Sequence, residues 1–214
     1  MTGPRDEASR LREGAAELSV SIDERAVHGM LSYLDLLYVW NRSTRLTAIE
    51  RDEAVRLHLL DCLACVPLLE GCRRLVDLGS GAGLPGLVIA LARPELEVHL
   101  VEAKRKRCSF LHDAVDRLRL RRCRVVESGA EDLGGGLAGY FDVATARAFR
   151  PPIELIRIAR PLLARRGKVL VMCGGPGLKS EEADQLGLAA RVSERARFRL
   201  PGGTERRRIV VVEP

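Results

Sequence analysis

A chain of 214 residues and 23.6 kDa suits one domain with room for an extension or a small second lobe. Its 46% hydrophobic and 30% charged residues are enough to bury a core. No apolar run reaches the roughly 20 residues that cross a bilayer, and Met1 to Leu18 is charged where a signal peptide carries its apolar stretch, so membrane and secreted classes are excluded and a cytoplasmic protein is expected. Thirty-five Lys+Arg against 29 Asp+Glu leave +6, which permits an anionic partner such as nucleic acid. Lysine occurs only at Lys104, Lys106, Lys168 and Lys179, however, and the arginine excess is what GC-rich coding gives any protein, so charge alone leaves the partner open.

In chain order, residues 1–70 read as a helical extension packed on the domain formed by residues 71–214, because no Pro/Gly/Ser linker divides them. Ser21 or Asp23 can cap a helix running to Trp40, with Val27, Met30, Leu31, Leu34, Leu37 and Tyr38 at helical spacing. Asn41 to Arg45 interrupts it, and a second helix is predicted from about Asp52 to Leu69. That stretch holds Cys62 and Cys65, a C-x-x-C with no second pair to complete a zinc site. Reduced thiols packed in a core are expected, and no metal.

From Arg73 short strands alternate with helices: strands at Leu75–Leu78, Val98–Val101, Arg124–Val126, Val143–Ala146 and Val169–Met172, helices near Gly86–Ala92, Arg107–Leu118 and Ile153–Leu163. After a helix near Ser180–Leu186 come extended runs at Ala196–Leu200 and Arg208–Val212, joined by Pro201-Gly202-Gly203-Thr204 as in a hairpin. The pattern predicts an α/β, Rossmann-like fold, a mostly parallel sheet ending in an antiparallel hairpin.

The chemistry sits in Asp77-Leu78-Gly79-Ser80-Gly81-Ala82-Gly83-Leu84-Pro85-Gly86, which follows a strand and opens a helix. Glycines allow a sharp turn and close approach to a ligand, and the helix start offers free N–H groups. Glu102, closing the second strand, can accept both ribose hydroxyls of an adenine nucleoside. Gly81-x-Gly83-x-x-Gly86 matches a dinucleotide fingerprint, whereas Asp77-x-Gly79-x-Gly81-x-Gly83 matches the loop of class I S-adenosylmethionine-dependent methyltransferases. Asp77 favours the second, since an acid before the first glycine suits a cofactor with an ammonium and would repel a pyrophosphate.

Trp40-Asn41, Leu46-Thr47, His58-x-x-Asp61, the glycine loop with its continuation Leu84-Pro85-Gly86, Phe110-Leu111, Phe141-Asp142, Arg147-Ala148-Phe149 and Arg207 to Val212 lie collinear over about Val20 to Val212. In these stretches the chain resembles the bacterial small-subunit (16S) ribosomal RNA guanine-N7 methyltransferases, the glucose-inhibited division protein B family. The resemblance implies methyl transfer from S-adenosylmethionine to N7 of a guanine in small-subunit rRNA, with bare RNA or the assembled subunit as partner; a monomer is expected. It implies Gly79, Leu84, Ala130, Glu131 and Arg147 as cofactor contacts, beside Asp77, Gly81, Gly83 and Glu102 from the loop reading. Asn41, Thr47, His58, Asp61 and Arg207 are candidate substrate-side residues. N7 keeps a free lone pair at neutral pH, so no general base is expected. An RNA- or ribosome-binding protein that has lost turnover, or a small-molecule methyltransferase, are the alternatives. The chain departs from the family at Arg45, where Asn is usual, at Gly129, where Arg is common, and at Cys173, where Lys is common. Lys104 to Arg107, and Arg119 with Arg121, Arg122 and Arg124, are two basic clusters that either meet RNA or are solvated.

Overall fold

A computed structural model describes residues 4–133, 135–173, 191–204 and 206–213. The expected helix near Ser180–Leu186 lies outside the described residues. Seven strands form one sheet in the order β3-β2-β1-β4-β5-β7-β6. They are β1 (Arg74–Leu78), β2 (Glu97–Glu102), β3 (Cys123–Glu127), β4 (Phe141–Arg147), β5 (Leu163–Cys173), β6 (Arg191–Arg199) and β7 (Arg206–Glu213). The first five are parallel, and β7 runs antiparallel to both β5 and β6, which closes the sheet with the expected hairpin. Strand order reverses between β1 and β4, so a crevice for ligand opens at their carboxyl ends.

Helices α1 (Pro4–Glu17), α2 (Glu24–Thr44), α4 (Gly86–Ala92) and α5 (Arg105–Arg117) contribute to the core on one face of the sheet, and α6 (Pro152–Ala159) to the core on the other. Residues from Leu11 to Leu69 share one contiguous buried cluster with Leu75, Leu87, Val98, Phe110 and Val211. The Asp23 carboxylate caps α2 by accepting from Ala26 N at 2.7 Å. Gly29 lets α2 lie against α4, since a Cβ there would fall 2.6 Å from Leu91 Cδ2.

Two local features differ from the sequence expectation. The helix from Asp52 to Leu69 is not continuous: it breaks into a 3-10 turn (Arg51–Glu53), a π-helical stretch (Val55–Leu60), a short α turn, α3 (Asp61–Leu63), and a second 3-10 turn (Val66–Leu69). The periodicity of its apolar residues looks the same whether the turns are tight or wide. The second feature is the end of α2, which continues past Trp40 through the polar residues to Thr44, with Arg45 beyond it at φ 51 and ψ 57. That left-handed conformation favours Gly or Asn and costs another residue roughly 1–2 kcal/mol. A cation at a helix C-terminus recovers about 0.3–1 kcal/mol from the dipole, so α2 itself does not select Arg here.

Candidate active site

The glycine loop leaves β1 at the crevice. Asp77 lies beneath it with no exposure; its Oδ2 accepts from Gly86 N at 3.1 Å and its Oδ1 has no hydrogen-bond partner. Burial pushes this carboxyl up to about 7. The glycines have different neighbours. A Cβ at Gly83 would meet Leu87 at 2.2 Å and Leu111 at 3.2 Å, so this glycine serves packing of the loop on α4 and α5. Gly79 and Gly81 both have positive φ, 68 and 55. At Gly79 a Cβ would fall 2.0 Å from the Phe149 ring, whereas at Gly81 the nearest side-chain atom is Arg107 Nη1 at 3.7 Å. Gly81 is thus the loop position with room above it.

Glu102, nearly buried at the end of β2, accepts from Gly81 N at 3.0 Å through Oε2 and from Lys104 N at 2.8 Å through Oε1. Each oxygen keeps a second acceptor lone pair. The residues present therefore suit an S-adenosyl cofactor: two acceptor sites for ribose hydroxyls and, at Gly81, a glycine backbone open to close approach. Leu84 is buried in the core, so its side chain is packing and only its backbone faces the loop. Tyr33 of α2 donates to Ala82 O at 2.7 Å and ties the N-terminal extension to the loop. No sequence signal marks that bond.

At the end of β4, Arg147 is held by the irregular stretch 55–63. Its Nη1 donates to Leu57 O at 2.9 Å and to Asp61 Oδ2 at 3.3 Å, and its Nη2 meets His58 Nδ1 at 2.9 Å. The backbone explains the first contact. The N–H of Asp61 bonds to His58 O, three residues back, where an α-helical turn would direct it to Leu57 O, the carbonyl the guanidinium reaches. Guanidinium only donates, so His58 Nδ1 must accept and Nε2 carries the proton, donating to Thr47 Oγ1 at 2.9 Å. Burial, with the Arg147 charge second, pushes His58 down to about 3 and keeps it neutral. Asn41 fixes the Thr47 loop by bonding both Thr47 N and Thr47 O at 2.9 Å. From β7, Arg207 Nε donates to Asp61 Oδ1 at 3.0 Å.

Asn41, Thr47, His58, Asp61, Arg147 and Arg207 are therefore brought together in one chain of hydrogen bonds, drawn from four parts of the sequence. Glu131 sits elsewhere, past β3 in the 3-10 turn Ala130–Asp132, where it is exposed and pairs with Arg150 at 2.5 Å. Arg150 also meets Glu154 at 3.3 Å and lies 5.4 Å from the centre of the Phe149 ring. Ala148, at φ 52, turns the chain so that Phe149 returns onto Gly79. Phe149 lay within a matched stretch of sequence without an assigned role; a strand-end aromatic facing a glycine loop is the signal that was available. Cys62 and Cys65 are fully buried, and burial raises both thiols above their usual range, so neither serves as a nucleophile. Among the described residues no cluster of His, Cys, Asp and Glu could hold a metal, and no helix is long and apolar enough to cross a membrane.

Comparison with known proteins adds the chemistry this geometry serves. The GidB family model, described as rRNA small subunit methyltransferase G, matches residues 27–210. Relatives named ribosomal RNA small subunit methyltransferase G include those of Syntrophotalea carbinolica, 38% identical over 95% of this chain and 96% of theirs, and Stenotrophomonas maltophilia, 39% identical over 98% and 96%. Among solved structures, a SAM dependent methyltransferase from Aquifex aeolicus superposes with a TM-score of 0.55 at 14% identity, over 75% of this chain and 92% of that one. A putative caffeoyl-CoA O-methyltransferase from Staphylococcus aureus gives 0.56 at 10% identity, over 85% and 92%. At such identities these two establish the fold alone.

Proposed function

We propose, for a chain that belongs to the GidB family of small-subunit rRNA methyltransferases, that it methylates N7 of a guanine in 16S ribosomal RNA, in the cytoplasm. It is an S-adenosylmethionine-dependent methyltransferase by family, and its fold agrees. When bound, that cofactor supplies a methyl group on a positively charged sulfur. Glu102 is the acceptor for its ribose, Gly81 allows its approach, and Asp77 holds the loop from beneath through Gly86 N. Arg147 stands at the strand end next to this crevice, where a planar, always-charged group can orient the base edge or a neighbouring phosphate.

The observation that supports the N7 reading is that His58, Asp61 and Asp77, an imidazole and two carboxyls at the crevice, are already committed. Neutral His58 has both ring nitrogens bonded, Asp61 is shared by two guanidiniums, and Asp77 is sealed beneath the loop. None of these three groups is left to remove a proton, and attack by a free lone pair needs none; the residues act by positioning and charge. The test is transfer of labelled methyl to bare 16S RNA, to assembled small subunits and to a metabolite pool, followed by mass mapping of the product. 7-Methylguanine at one site supports the reading. Methyl transfer confined to metabolites, or tight RNA binding without transfer, sinks it.

A further inference from the structure

We propose that the cleft between the end of α2 and the start of α5 carries the phosphate backbone of the substrate RNA past the cofactor loop, an inference that rests on the RNA methyltransferase reading above. The cleft is an open groove of about 510 Å³, with Ser43, Thr44 and Arg45 on one wall and residues 104–107 on the other. Its lining holds five cations and no acid. Arg45, Lys104, Arg105 and Lys106 are exposed. Among the described residues, none of their side chains makes an ion pair or hydrogen bond. Arg107 faces Glu102, but the other four like charges converging on one cleft repel one another, and a polyanion relieves that repulsion where a single small anion neutralises only part of it.

Both walls carry these cations against or without local preference. Arg45 occupies a left-handed position suited to Asn or Gly. The first turn of α5 has no acid and no side-chain cap on its N–H groups, although a helix start favours both. Arg107 links the cleft to the site, with its Nη1 at 3.7 Å from Glu102 Oε2 and also 3.7 Å from where a Gly81 Cβ would lie. A strand held in the cleft therefore runs beside the glycine loop. The other basic cluster lacks this placement. Arg119, Arg121 and Arg122 line a cavity of about 740 Å³ that includes Asp23 and the residues just before β2 and β3, at the amino ends of the strands and away from the loop.

Arg45→Asn tests the cleft cleanly, because Asn suits the left-handed backbone, and a Lys104→Gln/Arg105→Gln/Lys106→Gln variant extends the test. Binding of a 16S RNA transcript is measured over roughly 50–200 mM KCl, with cofactor affinity and thermal midpoint alongside. Arg45→Asn should lower the slope of log affinity against log salt by about 0.7–0.9, and the triple variant by about 2–3, as lost phosphate contacts do. Affinity should fall severalfold for the first and by more than about tenfold for the second, with cofactor affinity unchanged. Arg121→Gln/Arg122→Gln should keep the wild-type slope. Wild-type slopes in the cleft variants overturn the proposal, as does an equal loss in the Arg121/Arg122 variant. If the wild type methylates RNA and the cleft variants do so with unaltered salt dependence, the cleft assignment alone is lost. A wild type that binds cofactor but neither the transcript nor assembled small subunits removes the functional reading with it.

Discussion

Replacing Arg147 by Ala removes the donor on which three acceptors depend: Leu57 O, His58 Nδ1 and Asp61 Oδ2. Breaking a buried ion pair by removing one partner costs about 3–5 kcal/mol, and each buried acceptor left bare adds about 1–3 kcal/mol. Two features reduce the total. Asp61 keeps Arg207 on its other oxygen, and the Arg147 side chain is 20% exposed, so water can enter the vacated space. The net expectation is a loss of about 2–4 kcal/mol, which at about 2–4 °C per kcal/mol for a domain of this size lowers the thermal midpoint by about 5–15 °C. Sequence alone suggests a milder outcome, a shift of a few degrees, because a strand-end Arg looks external to the core. Methyl transfer, measured where the variant is still folded, should drop at least about tenfold, or roughly 1.4 kcal/mol of transition-state stabilisation. Arg147→Lys separates the two roles, since it retains charge but loses the fork that reaches His58 and Asp61 together. An Ala variant as stable as the wild type would mean the network holds nothing, and full activity in a folded variant would remove Arg147 from the site.

Glu102→Gln replaces one acceptor oxygen by a donor facing an amide of the loop, so S-adenosylmethionine affinity should fall by about 1.5–3 kcal/mol in calorimetry; binding like the wild type would place the ribose elsewhere. Gly81→Ala has space for its methyl near Arg107 and should fold with a strain of roughly 1–2 kcal/mol, yet bind the cofactor at least about tenfold more weakly; Gly79→Asp is the poorer probe, because its side chain collides with Phe149. His58 stays neutral in the fold, with its pKa lowered to about 3 from 6.5, so the unfolded chain binds the extra proton between those values and its contribution is lost as pH falls. The stability advantage of wild type over His58→Gln should shrink by about 1.4 kcal/mol per pH unit below about 6.5. Asp77, raised to about 7 from 3.8, slopes the opposite way over much of that range. Asp77→Asn should therefore expose a steeper acid loss than the wild type shows in urea titrations at pH 6.5 and 5, and a flatter one would contradict the assignment of a buried, protonated Asp77.

The legible parts of the site were those written in consecutive residues. Gly79 to Gly86 between a strand and a helix, and an acid closing the next strand, have local causes, so spacing exposes them. Helix α4 begins and ends where expected for the same reason. Arg147 and Asp61 are 86 residues apart and Arg207 and Asp61 are 146 apart, and no local pattern encodes such pairings. The resemblance singled out these residues without saying that they touch one another. The wide turn at Val55–Leu60 was missed because apolar spacing does not distinguish a π-helical register from an α-helical one.

That wide turn is also what makes the N-terminal extension part of the site. A regular α-helix over 55–63 would bond Leu57 O to the Asp61 N–H, leaving Arg147 only a shared acceptor there. As folded, the stretch offers the guanidinium a carbonyl, a neutral imidazole and a shared carboxylate within 3.3 Å. Thr47 and Asn41 then fix the imidazole in turn, and Tyr33 pins Ala82 of the glycine loop. With His58 neutral, the formal charge of His58, Asp61, Arg147 and Arg207 together is +1, so the network offers an excess positive charge at the crevice while leaving each buried charge paired. A protonated His58 beside Arg147 would add a second like charge in the same space. The burial that lowers its pKa thus keeps the network at a single positive charge, and keeps Arg147 oriented by an acceptor rather than repelled by a cation.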